Sequence, residues 1–479
     1  MPALEELRAA YAAAGQDHVF TFYDSLTSTE QASFLTQLAS IDPARITHIA
    51  SSVLSSITFP DSTPGEITPL PSAATASLLT ASSADIAKWY DAGITLLAQN
   101  SVAVVLLAGG QGTRLGSADP KGCFDIGLPS HASLFELQAH RILGLQRLVQ
   151  DTTGVTKVVI PWYIMTSGPT RAPTEAFFSK NRYFGLAPSD VIFFEQGVLP
   201  CIDNSGKIML DTPSSVAVAP DGNGGIYRAL VQQHVLADMA ARGVKHVHAY
   251  CVDNCLARLA DPVFLGFASS RGVAVATKSV PKRAPEESVG LIVSKNKRPA
   301  VIEYSEISTE MAAARAEDGE LALRTANIVN HYYSTSYLAD IPEWPESYLP
   351  YHVARKKIPC TDLTTGTRIA PASPNGIKLE QFIFDCFPQL QMSEFANLEV
   401  RREDEFSPLK NKAGTVGEDD ADSSRADLLR QGKRWLLAAG ASFDDDVLGV
   451  EVPPLISYAG EGLDAAKGKH FSDTCLLTL

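Results

Sequence analysis

The spacing of apolar residues changes several times along the 479-residue chain, and each change predicts a different element. Residues 1–45 repeat Ala and Leu at helical intervals, and a second helical stretch runs from Ala84 to Gln99. Between them, residues 51–83 are rich in Ser, Thr and Pro. Pro60, Pro64, Pro69 and Pro71 would interrupt any helix, so this segment reads as irregular chain wrapped over other structure. From about 100 to 390, short apolar runs alternate with amphipathic stretches. Val102–Leu107, Lys157–Met165, Val191–Phe194, His246–Val252, Val273–Lys278, Val289–Val293 and Val301–Tyr304 predict strands. Leu134–Val149, Ile226–Arg242 and Ile377–Cys386 predict helices. Alternation of this kind marks an α/β fold with a Rossmann-like, mostly parallel sheet. Beyond it come a charged loop, one helix near Arg425–Ala438 and short apolar runs. The expected organisation is an N-terminal helical region over 1–100, a central α/β domain over 101–390 and a small C-terminal domain over 391–479.

Composition narrows the classes. A formal net charge of −14 argues against broad nucleic-acid binding, which relies on a basic surface. It says nothing against phosphorylated small molecules, whose binding depends on where the cations sit. No window of about 18 uninterrupted apolar residues occurs, so no membrane span is expected. The opening MPALEELRAAYAAAG lacks a basic stretch followed by an apolar one, and no signal or transit peptide is expected. Seven scattered cysteines without CxxC pairs suit reduced thiols in the cytosol. The acidic run Glu418–Asp422 reads as an exposed loop rather than a metal site.

The chemistry concentrates after the first central strand, in VAVVLLAGGQGTRLGSADPKG over residues 102–122. Gly109, Gly110, Gly112 and Gly116 let the main chain turn tightly and present its N–H groups to an anion. Arg114 and Lys121, the only cations in this loop, suit a polyphosphate whose charge shifts during reaction. The loop is not a P-loop, because Lys121 is followed by Gly122 and Cys123 rather than Ser or Thr. Nor is it a dinucleotide fingerprint, since Leu115 stands where the third glycine belongs.

LAGGQGTRLG followed by PKG resembles the signature of sugar-nucleotide pyrophosphorylases. Further blocks narrow the resemblance to the eukaryotic UDP-N-acetylglucosamine pyrophosphorylase family. They are Pro161–Ser167, Phe194–Gln196, Ala219–Gly225, Cys251–Asn254, Val301–Glu306, Asn327–His331, Asn375–Lys378 and Glu405–Asn411, in the family's order. The resemblance implies a nucleotide-diphospho-sugar transferase type of fold. It also implies a nucleotide-binding set: Leu107, Ala108, Gly109, Gly110 and Gly112, with Gln196, Pro220 and Gly222 at the uracil. Asn223, Gly290, Glu303, Asn327 and Lys378 are the implied sugar-side residues, Lys378 acting on the sugar-linked phosphate. Arg114, Lys121 and Lys410 are the implied catalytic cations, Lys410 reaching the cleft from the C-terminal domain. One departure stands out: Ala326 occupies a position where the family usually carries glycine. His331 reads as a packed core histidine rather than an acid or base.

The implied reaction joins UTP to N-acetylglucosamine 1-phosphate, giving UDP-N-acetylglucosamine and pyrophosphate. A phosphate monoester is already anionic near neutral pH, so the protein needs mainly to align two anions and neutralise charge. Asp253, at the end of an apolar strand, is the candidate ligand for Mg²⁺ (Mn²⁺ as the alternative), an ion that takes few protein oxygens. On residue chemistry alone, Asp253 serves equally well as a helix N-cap. Competing readings are uridylyl transfer to glucose or N-acetylgalactosamine 1-phosphate, and a non-catalytic UDP-sugar sensor.

Overall fold

A computed structural model describes residues 4–58, 65–414 and 419–478. Two compact units divide the chain: residues 1–65, 196–228 and 345–385 form one, and 66–195, 229–344 and 386–479 the other.

The larger unit is built on one sheet whose central strands are β1 (Val102–Leu107), β2 (Trp162–Thr166), β3 (Val191–Glu195), β4 (His246–Cys251), β5 (Val275–Pro281), β6 (Leu291–Lys295), β7 (Arg298–Ile302), β8 (Thr325–Ser334) and β9 (Phe395–Glu399). Their principal order is Thr75–Ser77, β9, β5, β8, β4, β1, β2, β3. The β4–β1, β1–β2, β2–β3 and β5–β9 pairings are parallel, while β8 runs antiparallel to both β4 and β5. The fold is thus the expected α/β arrangement with a mostly parallel sheet. All six residues of β1 are buried, which is why it reads as a continuous apolar run rather than an alternating one.

Helices cover the sheet. Among them are α1 (Ser83–Ala98), α2 (Leu134–Thr153) and α3 (Pro262–Arg271), while α4 (Ala421–Ala438) packs its Leu429 with Leu134 and Leu137 of α2. Ser82 and Ser133 cap α1 and α2 by accepting from Asp85 N and Glu136 N, satisfying amides that the first turn leaves open. α1 and α3 cross backbone to backbone. A Cβ on Gly266 would lie 1.8 Å from Trp89 O, and one on Gly93 would lie 1.9 Å from Pro262 O.

The smaller unit packs the helices Leu4–Ala13, Ser28–Ala39 and Pro43–Thr58 around a three-stranded antiparallel sheet of His352–Lys356, Gly376–Glu380 and Ile202–Asp203. Tyr11, Phe34, Leu38, Ile202, Ile377 and Leu379 share its core.

Several expectations need correction. Ile377–Cys386 is not helical: Gly376–Glu380 is a strand whose Ile377 and Leu379 face inward while Lys378 and Glu380 alternate with them, a period of two. Ile226–Arg242 is two helices, Ile226–Gln232 and Val235–Ala241, parted by His234 at φ 58°. Residues 51–58, read as irregular, complete the helix Pro43–Thr58, while Pro60 and Pro64 lie outside the described residues. Residues 157–161 are not strand, and β8 gave no recognised signal. Asp420 is not loop but the N-cap of α4, with Asp422 in its first turn; Glu418 lies outside the described residues.

Candidate active site

The register of the larger unit's sheet decides which loops emerge together. Leu107 pairs with Cys251 on one side and Met165 on the other, so the loops after β1 and β4 leave from one edge. That is the carboxyl edge, where open α/β sheets bind ligands. Leu107 and Ala108 are buried, and Ala108 N donates to Met165 O at 2.8 Å. After them no hydrogen bond among the described residues occupies the amides of Gly109 and Gly110. A Cβ on Gly110 would meet nothing within 4 Å, so a ligand could approach this backbone closely. Gly112 has no such space: its Cβ would lie 3.0 Å from Asp119 O, whose carbonyl also accepts the Gly112 amide at 3.0 Å. The loop then doubles back, and Lys121 N donates to Gly110 O at 3.3 Å.

This return carries the Lys121 ammonium to the next loop. Its Nζ donates to Leu409 O at 3.1 Å and stands 3.8 Å from Asp253 Oδ2. Arg114 is exposed on the same glycine loop, with no hydrogen bond or ion pair among the described residues. Asp253 follows β4 with its carboxylate partly open to solvent. Its loop leaves the strand next to the one that carries the unengaged amides, and a lone carboxylate there suits a Mg²⁺ that arrives with phosphates and keeps its own waters. No cluster of three or more metal-ligating side chains occurs among the described residues.

Lys410 reaches this edge because its segment is laced to the Asp253 loop. Leu409 N donates to Asp253 O at 2.8 Å, Cys255 N to Ser407 O at 3.0 Å and Ser407 N to Asn254 Oδ1 at 3.0 Å. Asn254 Nδ2 donates to Glu405 O at 2.7 Å. Lys410 Nζ lies 3.5 Å from Asp419 Oδ2. Beneath sits a group the sequence reading missed. Lys278, fully buried on β5, donates to Asp261 Oδ2 at 2.6 Å and to Glu405 Oε1 and Oε2 at 2.8 and 2.9 Å. Arg258 Nε stands 3.8 Å from Glu405. Two acids and two bases thus neutralise one another in the interior, the condition under which buried charges persist. The cationic partners hold Asp261 low; burial still pushes the Glu405 carboxyl up.

Three sugar-side candidates also meet in this unit. Asn327 N donates to Gly290 O at 2.8 Å, and a Cβ on Gly290 would lie 3.2 Å from Glu303 Oε1. Glu303 caps the short turn Tyr304–Glu306. Asn327 Oδ1 accepts from Val329 N at 3.0 Å and lies 3.2 Å from His331 Nε2. Val329 itself has φ 49° where the β5–β8 register shifts. A β-branched residue there is strained, and the bulge lies between Asn327, which pairs with Ser279, and His331, which pairs with Thr277. Ala326 is fully buried in the core, so its methyl is accommodated without disturbing the Asn327 bonds. His331 is buried beside Phe387 and Tyr333, and burial lowers its pKa to about 3, so it is the neutral core histidine expected.

The smaller unit carries the remaining candidates. Gln196 directly follows β3, with its carboxamide half-buried. Pro220 ends the second strand of the antiparallel pair Val198–Pro200 and Val218–Pro220. Gly222 takes φ 86° and passes so close to the backbone just after the strand Gly376–Glu380 that a Cβ would lie 2.3 Å from Gln381 O. Asn223 Oδ1 accepts from Ile383 N at 2.9 Å, and its NH₂ has no hydrogen bond among the described residues. Lys378 sits on Gly376–Glu380 opposite Ala354. Asp221, not singled out from sequence, is buried with one carboxylate oxygen lacking any hydrogen-bond partner among the described residues. Burial raises its pKa to about 6 against the pull of Arg228.

Known proteins share this arrangement of sequence and fold. The family described as UTP–glucose-1-phosphate uridylyltransferase matches residues 66–436. A Saccharomyces cerevisiae protein named UDP-N-acetylglucosamine pyrophosphorylase is 48% identical over 98% of each chain. A human protein named UDP-N-acetylhexosamine pyrophosphorylase-like protein 1 is 40% identical over 100% of this chain and 97% of its own. The crystal structure of the uridine diphosphate N-acetylglucosamine pyrophosphorylase from Trypanosoma brucei, with an inhibitor, superposes with a TM-score of 0.84 at 30% identity, covering 97% of this chain and 95% of that one. The chain belongs to the UTP–glucose-1-phosphate uridylyltransferase family.

Proposed function

We propose that the protein transfers the uridylyl group of UTP to N-acetylglucosamine 1-phosphate, forming UDP-N-acetylglucosamine and pyrophosphate. The observation that carries this reading is the pair of unengaged amides at Gly109 and Gly110 beside Lys121, at the carboxyl edge of a parallel sheet. That grouping suits a triphosphate; the nearby Ser167 hydroxyl is spent on Gly109 O, and burial pushes the Cys251 thiol far up, so neither is poised as a nucleophile. In the reaction a phosphate oxygen of the sugar phosphate bonds to the α-phosphorus, and the bond from that phosphorus to the bridging oxygen breaks. The electron pair leaves with pyrophosphate. Lys121, Arg114 and Lys410 would balance the charge that builds on the phosphates, where fixed cations act most strongly. Asp253 would hold Mg²⁺ or Mn²⁺, which when bound adds Lewis-acid neutralisation of the phosphate oxygens.

Gly109, Gly110 and Gly112 would bind the nucleotide with Leu107 and Ala108, while Gln196, Pro220 and Gly222 would meet the uracil. A carboxamide supplies both the donor and the acceptor that the uracil edge needs. Gly290, Glu303 and Asn327, with the Asn223 amide and Lys378, would take the sugar and its phosphate. The seven free thiols support placing the protein in the reducing cytosol, and no described helix is long and apolar enough to cross a membrane.

The family description names glucose 1-phosphate and the human relative an N-acetylhexosamine, so the acceptor is the point to test. Pyrophosphate release should be followed with UTP, Mg²⁺ and three acceptors: N-acetylglucosamine, N-acetylgalactosamine and glucose 1-phosphates. The first is expected to turn over fastest. Equal rates with glucose 1-phosphate would replace the acceptor, and UDP-N-acetylglucosamine binding without turnover would replace the enzyme with a sensor.

A further inference from the structure

Asp221 joins two of the residues given to the uracil. It directly precedes Gly222, and its amide donates at 3.1 Å to the carbonyl of Gly197, the residue after Gln196. Its own carbonyl accepts from Gln381 N at 2.8 Å, and Gln381 O in turn accepts from Gly224 N at 2.8 Å. The backbone of residue 221 is pinned on both sides.

The side chain adds a second lock. Asp221 is 7% exposed, and its carboxylate fills side-chain space that two glycines leave empty. A Cβ on Gly197 would lie 2.4 Å from Oδ2, and one on Gly225 would lie 1.9 Å from Oδ1. Oδ1 is buried without a hydrogen bond among the described residues, so the carboxylate is out of a ligand's reach and acts through its neighbours. Burying an acid in this way costs stability, and cations offset the cost at longer range. Burial raises the carboxyl to about 6, while Arg228 and, more weakly, Arg45 pull the other way.

Those cations are themselves held. Arg228 lies 3.7 Å from Glu346 Oε1, and Arg45 Nε lies 2.6 Å from the same oxygen. Arg45 also donates to the Tyr351 hydroxyl at 2.5 Å. On the Gln381 side, Asp385 accepts from Phe382 N at 2.6 Å and pairs with His352 at 2.9 Å.

We propose that Asp221 is a positioning residue for base recognition, its ionised carboxylate holding Gln196 and Gly222 at the spacing that the uracil edge requires. Ionised, the carboxylate is drawn toward Arg228 and Arg45 and keeps Gly197 and Gly225 seated against it. Protonated, it loses that pull, and the two uracil contacts lose their common anchor. The inference rests on the uracil assignment of Gln196 and Gly222 under the proposed function.

Calorimetric titration of the full chain with UDP-N-acetylglucosamine tests it, because neither the phosphates nor the uracil of that ligand titrate between pH 5 and 7.5. Asp221→Asn keeps the shape of the protonated carboxyl. It should weaken binding about tenfold at pH 7.5 and abolish the pH dependence. In wild type about one-tenth of the carboxyl is ionised at pH 5, so affinity should fall about fivefold from pH 7.5 to 5. A contribution from the His352–Asp385 pair would persist in Asp221→Asn. Arg228→Gln, a change at a half-exposed side chain, should move the wild-type midpoint to higher pH. KM for pyrophosphate in the reverse reaction, at saturating UDP-N-acetylglucosamine, should be the same in Asp221→Asn and wild type, which general damage to the fold would not allow. A flat wild-type profile, a titration that survives in Asp221→Asn, an unmoved midpoint in Arg228→Gln or a raised pyrophosphate KM would overturn the proposal. Wild type that neither binds UDP-N-acetylglucosamine nor releases pyrophosphate would overturn the transferase reading and this inference with it, whereas binding blind to Asp221 would overturn this inference alone.

Discussion

At Gly222 the backbone conformation and the neighbouring Gln381 backbone make the same demand. The φ of 86° belongs to glycine, and a side chain would strike Gln381 O at 2.3 Å. Gly222→Ala should therefore cost about 3 kcal/mol or more in denaturant unfolding; a loss within experimental error would show that the loop is not held as described. Lys121 makes the opposite prediction. Its ammonium sits in a partly open site, so Lys121→Ala should lower kcat about 10²- to 10³-fold while changing unfolding free energy by only about 1 kcal/mol. Near-normal turnover would remove Lys121 from the reaction. Residues such as these were legible because small motifs need particular side chains at fixed spacing. Asp221 was not, because its burial comes from Gly197 and Gly225: Cβ atoms on them would lie 2.4 and 1.9 Å from its carboxylate oxygens.

At the scale of elements, the Lys410 segment depends on strand β5 through a fully buried lysine. Lys278→Met would leave Glu405 and Asp261 facing only Arg258, at an expected cost of about 3–5 kcal/mol, read by urea unfolding. A neutral result would mean that the four charges do not act together. Strands β4 and β8 carry a pH signature. His248 and His331 are buried, and burial lowers their pKa values to about 4 and about 3. The unfolded chain takes up protons near pH 6.5 that these folded histidines refuse, so stability is full above that pH and falls as the solution becomes more acid. Between pH 6.5 and 5 each should contribute a loss of about 2 kcal/mol. His331→Gln should flatten the measured dependence by about that amount, and parallel curves for variant and wild type would contradict it. Buried parallel strands such as β1 were legible as unbroken apolar runs. Gly376–Glu380 was mistaken for a helix because Ile377 and Leu379 span too short a stretch to settle the period, and one of its pairing partners, Ile202–Asp203, lies far upstream.

At the scale of the whole molecule, the fold class and the glycine-rich turn after β1 could be read from one stretch of chain, whereas the smaller unit could not. It gathers residues 1–65, 196–228 and 345–385, and local periodicity carries no record of pairings across such separations. The same applies to the Asp253 loop and the Lys410 segment, whose mutual hydrogen bonds join residues more than 150 positions apart. The central chemical claim is that fixed amides and cations align two phosphates for a single direct displacement, with no enzyme nucleophile. It is tested most directly by turnover of UTP bearing sulfur at one stereochemically defined α-phosphate oxygen position. The account predicts UDP-N-acetylglucosamine with inverted configuration at that phosphorus. Retention would require two displacements through a covalent uridylyl-enzyme and would contradict it.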